Sequence, residues 1–233
     1  MASSSDSSGR AWEVQVDAGS ARLVGDLEVP AGAAGVVVFA HGSGSGRHSP
    51  RNRFVAEQLR AGGLATLLFD LLTAEEQAVD VETGQLRFDV EMLAGRLVAA
   101  TEWLVVHPAA RGLQIGYFGA STGATAALIA AAERPDLVGA VVSRGGRPDL
   151  AGLALPRVRA PTLLIVGGSD YPVISWNRDA LSFMSCERSL EVVPGATHLF
   201  EETGALDTVA RLARDWFTRY LGSGDQRTIG SSA

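Results

Sequence analysis

Three residues that can carry out acyl transfer together stand far apart in the chain: Ser121 in GYFGASTGATAAL, Asp170 in TLLIVGGSDYPV and His198 in LEVVPGATHLF. A serine hydroxyl is a poor nucleophile at neutral pH. An imidazole must take its proton, and a carboxylate must orient that imidazole and stabilise its cation. Ser121 has Gly119 and Gly123 two residues away on either side, and a nucleophile presented on a strained strand-to-helix turn needs such small neighbours because the chain packs against itself there. This Gly-x-Ser-x-Gly occurs once. Asp170 and His198 each follow an apolar run, so both fall in loops at the C-terminal edge of a sheet, where open α/β sheets build their sites.

Each partner has an alternative. Asp170 can instead cap a helix beginning near Val173 to Ser175, with Asp149 in GRPDL as the other acid. For the base, His41 and His48 lie in a glycine loop ahead of the nucleophile and His107 precedes Pro108 at what reads as a helix end, which leaves His198. The glycine loop itself, VVVFAHGSGSGRHSP from Val36 to Pro50, has two readings. Followed by Asp70 at the end of the next strand, it resembles the start of a dinucleotide site. Yet its third glycine, Gly46, comes one place early for G-x-G-x-x-G, the helix starts at Ser49 and Pro50, and no Gly-Lys-Ser/Thr follows. The other reading fits an acyl transfer: the oxygen that turns negative needs donors already in place, here the backbone N–H groups of Ser43 and Thr122. Arg144 and Arg147 in SRGGRP, and Arg47 in the glycine loop, can bind a substrate carboxylate or serve the fold. The residue types call for no metal and no cofactor.

The elements that must position these groups are legible from periodicity. Trp12, Val14 and Val16, then Leu23, Gly25, Leu27 and Val29, alternate with polar residues across DAGS, the pattern of an antiparallel hairpin with one buried face. From Gly35 the strands become continuous apolar runs, GVVVFA, LATLLFD, LQIGYFG, GAVVS, PTLLIVGG and SLEVV. Strands covered by helices on both faces lose the polar alternation, so the expected class is α/β, a mostly parallel eight-stranded sheet flanked by helices, with an N-terminal antiparallel hairpin and no cap domain. Leu86, Val90, Leu93, Leu97, Ala100 and Leu104 form one helical stripe; Leu206, Val209, Ala213, Trp216 and Tyr220 form another. Thr73 to Gly84 reads as a solvated acidic loop. Residues 1–11 and 222–233 are Ser/Gly-rich and polar and read as flexible tails around a domain over 12–221.

Composition narrows the partners. A net charge of -6 with scattered Lys and Arg gives no stripe that could track nucleic acid. One cysteine, Cys186, excludes a disulfide framework and fits a reducing compartment. There is no basic start followed by an apolar segment and no apolar run of membrane-spanning length. The expected setting is the cytoplasm, away from membranes and nucleic acid, with a small-molecule ester as the partner; the oligomeric state is not legible.

Taken in order, HGSGSGRHSPRN, GYFGASTG, SRGGRPDLA, LLIVGGSDYPV and ATHLFEE resemble the dienelactone hydrolase-like branch of the α/β-hydrolase superfamily, over nearly everything from Val14 to Leu221. The resemblance implies a compact, cap-free hydrolase whose nucleophile, acid and base fall on Ser121, Asp170 and His198. It also exposes a departure. Dienelactone hydrolases proper carry a cysteine nucleophile and a glutamate in the first catalytic loop, whereas this chain has Ser121 and no acid in HGSGSGRHSP; Cys186 lies off the elbow and reads as a packing residue. The expected activity is therefore a serine hydrolase of small carboxylic esters, lactones or thioesters, working through an acyl-enzyme. The other reading is a silent scaffold of the same fold that binds a ligand or partner.

Overall fold

The computed structural model describes residues 9–222. Its strands are β1 (Arg10–Ala18), β2 (Ala21–Val29), β3 (Gly35–Ala40), β4 (Ala65–Phe69), β5 (Gln114–Ala120), β6 (Val138–Arg144), β7 (Thr162–Gly167) and β8 (Arg188–Val193). They form one sheet in the order β1-β2-β4-β3-β5-β6-β7-β8. The β1–β2 hairpin and its junction with β4 are antiparallel, and every other pair is parallel. The helices are α1 (Pro50–Ala61), α2 (Ala74–Thr83), α3 (Val90–Val106), α4 (Thr122–Glu133), α5 (Tyr171–Phe183) and α6 (Ala205–Leu221).

The continuous apolar strands are explained by two cores that share them. Along β3, Val36, Val38 and Ala40 point into one core with Leu93 and Leu97 of α3 and much of α4. Val37 and Phe39 point into the other, with Val55 and Leu59 of α1 and Val209, Ala213 and Phe217 of α6. α4 is built of small residues and is covered along nearly its whole length: Thr122 through Ala132 are all buried. α1 starts as its sequence dictates, with the Ser49 side chain accepting from the Asn52 N–H and Pro50 at the first helical position.

Four expectations change. Thr73 to Gly84 is no loop: it holds α2, opened by a reciprocal Thr73–Glu76 capping box and closed by Gly84 in the left-handed conformation, φ 65°. The long stripe from Leu86 belongs to a short 3-10 turn, Leu86–Phe88, and then to α3. In α6 the inward face is turned from the expected one, so Phe217 and Leu221 are fully buried while Trp216 and Tyr220 are only partly so. Residues 10 and 11, expected in a tail, begin β1. The rest of that tail up to residue 8 and the tail from 223 lie outside the described residues.

Candidate active site

The C-terminal ends of β3, β5, β6, β7 and β8 meet at one rim. Ser121 leaves β5 and opens α4 with φ 51° and ψ -120°. That is left-handed backbone, which for a serine costs on the order of 1–3 kcal/mol and persists only where the surroundings enforce it. The enforcement is visible. The Ser121 N–H donates to the Arg144 carbonyl at 3.0 Å and the Ala124 N–H to the Ser121 carbonyl at 3.0 Å. A β-carbon on Gly119 would stand 2.4 Å from Ala124 Cα, and one on Gly123 2.2 Å from the Ala40 carbonyl oxygen. Both glycines are thus required by close backbone approach, the second by β3 as well as by the turn.

Asp170 follows β7 and sits at the N-cap position of α5, yet its side chain makes no capping bond. Its Oδ2 lies 2.7 Å from His198 Nδ1 instead. His198 comes from the turn after β8, and its Nε2 lies 3.3 Å from Ser121 Oγ. The three side chains singled out in the sequence are therefore brought into one chain of contacts. A carboxylate accepting the Nδ1 proton leaves the lone pair of Nε2 facing the hydroxyl, the tautomer a general base requires. Asp149, the other acid, forms a two-bond pair with Arg147 at 2.9 and 2.7 Å.

Packing fixes the Asp170 and His198 loops to each other. The Ser169 N–H donates to the Ala196 carbonyl at 2.9 Å, and a β-carbon on Gly167 would meet the same oxygen at 2.5 Å. Glu202 Oε1 accepts from the Thr197 N–H at 3.0 Å and from its hydroxyl at 2.6 Å, closing the turn around His198. Phe200, just beyond, has φ 56°. Nothing in the local sequence announces Glu202, because its partner is defined only by the turn. The rim is open, with the His198 side chain 41 % exposed.

The glycine loop runs against Ser121: a β-carbon on Gly42 would stand 3.2 Å from Ser121 Cβ. Ser43 is the next residue along that loop, and Thr122 supplies the first N–H of α4, one of those a helix leaves unpaired. The loop is held from beneath by His41, whose Nδ1–H donates to the Gly42 carbonyl at 3.0 Å and whose Nε2 accepts from the Leu71 N–H at 3.0 Å. Burial holds the pKa of His41 below the usual histidine value. Asp70, the acid that made the dinucleotide reading attractive, is turned into the same loop. Its Oδ1 accepts from the Arg47 N–H at 2.8 Å and its Oδ2 from Arg47 Nη1 at 3.1 Å. Arg47 also pairs with Asp26 at 3.5 Å and Glu13 at 3.4 Å. Of the arginines expected to face a substrate, Arg47 is thus committed to three carboxylates. Arg147 is committed to Asp149 and lies 3.7 Å above the Trp176 ring. Arg144 forms no ion pair among the described residues.

Among the described residues no group of three or more His, Cys, Asp or Glu is arranged to hold a metal ion, and no helix is long and apolar enough to cross a membrane. Residues 23–221 match the family model described as the dienelactone hydrolase family. A crystal structure of a dienelactone hydrolase from Anabaena variabilis is 60% identical, with a TM-score of 0.90 over 91% of this chain and 99% of that one. A dienelactone hydrolase-like promiscuous phosphotriesterase from metagenomic libraries shares the fold at 18% identity, with a TM-score of 0.77 over 92% of this chain and 100% of that one. Proteins from two strains of Mycobacterium tuberculosis, each provisionally named a phosphoribosyl transferase, are 56% identical over 209 residues, which is 90% of this chain and 46% of theirs. The chain spans about half the length of these curated relatives.

Proposed function

The chain belongs to the dienelactone hydrolase family, and from that premise we propose that it is a serine hydrolase of small carboxylic esters, acting through an acyl-enzyme on Ser121. The observation that carries this reading is the contact chain Asp170–His198–Ser121, with separations of 2.7 and 3.3 Å. His198 Nε2 takes the hydroxyl proton as Ser121 Oγ attacks the ester carbonyl, and Asp170 stabilises the imidazolium. The carbonyl oxygen becomes negative and is received by the N–H groups of Ser43 and Thr122, with the positive end of α4 adding to the field. When the tetrahedral adduct collapses, the C–O bond to the alcohol breaks and the alcohol leaves with the proton from His198. Water, giving a proton to the same nitrogen, then attacks the acyl-enzyme; as this second adduct collapses the acyl–Oγ bond breaks, His198 returns the proton to Ser121 Oγ, and the acid leaves.

The phosphoribosyl transferase name belongs to proteins whose larger part lies outside the match. A hydroxyl–imidazole–carboxylate chain is machinery for attack on an acyl carbon rather than for displacement at a ribose carbon. The expected setting remains cytoplasmic, with no cofactor and no nucleic-acid or membrane partner.

A fluorophosphonate probe, which phosphonylates an activated serine, tests the proposal. Wild type is expected to incorporate one label and to hydrolyse p-nitrophenyl acetate, and Ser121→Ala to do neither. Labelling that persists in Ser121→Ala would remove this serine as the nucleophile, and an unlabelled, inactive wild type would favour the silent scaffold.

A further inference from the structure

A base that works from a loop needs that loop held, because a displacement of ~1 Å at a catalytic group can cost about a hundredfold in rate. His198 stands in such a loop, between β8 and α6, and its side chain is 41% exposed, so packing alone does not hold the imidazole. One wall of the turn is the end of β6: a β-carbon on Gly145 would stand 3.3 Å from the His198 carbonyl oxygen and 3.5 Å from its Cε1. Two residues past His198, Phe200 has φ 56°, left-handed backbone in which a bulky residue persists only under restraint. The Phe200 N–H donates to the Thr197 carbonyl at 3.2 Å, so this strained residue closes the same turn that carries His198.

The restraint is a carboxylate. Glu202 Oε1 accepts both the Thr197 N–H at 3.0 Å and the Thr197 hydroxyl at 2.6 Å. Those bonds, the hydroxyl first, hold the Glu202 carboxyl below the usual carboxylate range, so it is ionised at neutral pH and both bonds are charge-assisted. Its other oxygen, Oε2, is covered and has no hydrogen-bond partner among the described residues. Covering an unpaired carboxylate oxygen is unfavourable, so the orientation of this side chain is set by what Oε1 gains from Thr197 and not by solvent. The neighbouring carboxylate is the contrast: Glu201 is 64% exposed and pairs with Arg51 at 3.0 Å on the surface, where such pairs contribute little. The backbone of Glu202 is fixed in turn, its carbonyl accepting the N–H of Ala205, the first residue of α6, at 2.9 Å. Thr197 is thereby anchored to a helix.

We propose that Glu202 is the positioning residue of the base: by gathering both Thr197 donors on one oxygen it ties the turn to the start of α6 and keeps His198 Nε2 within reach of Ser121 Oγ, at 3.3 Å. The proposal rests on Ser121 being the nucleophile and His198 its base. Glu202 acts through Thr197, so its loss is felt in the chemical steps that use the imidazole and not in the binding of substrate.

The test measures kcat and KM for p-nitrophenyl acetate and the rate constant for phosphonylation of Ser121 by a fluorophosphonate. That rate constant reports how reactive the folded molecules are, whatever fraction of a variant is folded. Glu202→Ala is expected to lower kcat and the labelling rate constant together by about a hundredfold, with KM within about twofold of wild type. Glu202→Gln, whose amide oxygen can accept the same two bonds, should recover about tenfold of that loss. Thr197→Val removes the hydroxyl bond and should slow labelling about tenfold, and Thr197→Ser, which restores the hydroxyl, should regain most of it. Glu201→Ala, the same change one residue away, should leave both rates within about twofold. Should Glu202→Ala not fold, Thr197→Val against Thr197→Ser decides. A raised KM with kcat unchanged, no recovery in Glu202→Gln, or an equal loss in Glu201→Ala overturns the assignment. The labelling also separates the causes: label that persists in Ser121→Ala overturns the nucleophile and the positioning role with it, whereas Ser121-dependent labelling at one rate in wild type and Glu202→Ala overturns the positioning role alone.

Discussion

Ser121 is both the proposed reacting group and a strained residue, and the two properties can be separated. At φ 51° a glycine is at ease where alanine is not, while glycine's greater freedom in the unfolded chain costs about 0.5–1 kcal/mol. Ser121→Gly and Ser121→Ala are both expected to lose at least about a thousandfold in turnover. The glycine variant should nevertheless unfold at higher urea, being about 1 kcal/mol more stable than the alanine variant. Equal or reversed midpoints would show that the turn stores no strain. Asp170 divides in a similar way. Because its carboxylate serves His198 and no helix cap, Asp170→Asn should cost about 10³–10⁴ in kcat through the wrong imidazole tautomer. Its melting temperature should move little; a large fall with modest kinetic loss would make it a structural residue. That Ser121, Asp170 and His198 meet was legible in the sequence because each sits at a strand end with its own punctuation. The difference between Arg47 and Arg144 was not. It depends on Glu13, Asp26 and Asp70 arriving from three separate segments, and no local pattern encodes who meets whom.

At the scale of elements, the glycine loop is held in a fixed place. It hangs between β3 and α1, fastened at its start by His41 to the chain after β4 and at its end by Arg47 to Asp70. His41 is buried and neutral, its pKa held below the ordinary value of about 6.5. The unfolded chain therefore binds a proton that the folded chain refuses between those two values. The resulting stability is complete above about pH 6.5 and is lost as pH falls below it. A protonated ring would also set an N–H against the Leu71 N–H. His41→Asn should thus show a flatter fall in urea midpoint between pH 7.5 and 5.5 than wild type; parallel curves would remove His41 as the cause. Strands and the hairpin were legible as apolar periodicity. α2 was misread because its charge suggested solvent, although the T-x-x-E box at Thr73 and the closing Gly84 were the better signal. Local capping chemistry, here, outweighed composition.

At the scale of the whole molecule the sheet carries two cores that cannot part company. Successive residues of β3, Val36 to Ala40, point alternately into the α3–α4 core and the α1–α6 core. β5 and β6 do the same, with Tyr117 and Val141 on one side and Phe118 and Val142 on the other. Losing either helical layer would strip water protection from one face of the strands whose other face anchors the second layer. The site depends on both layers too, since Ser121 opens α4 on one face while Phe200 and Arg144 abut the α1 side of the other. The chain of 233 residues should therefore unfold in one transition, with a heat-capacity change of about 3 kcal/mol/K. Fluorescence of the tryptophans, far-ultraviolet dichroism and esterase activity should give coincident curves. A first transition that removes activity while leaving most of the helix signal would mean that the rim loops melt independently, and the contact from Asp170 to Ser121 would then be a property of those loops rather than of the sheet.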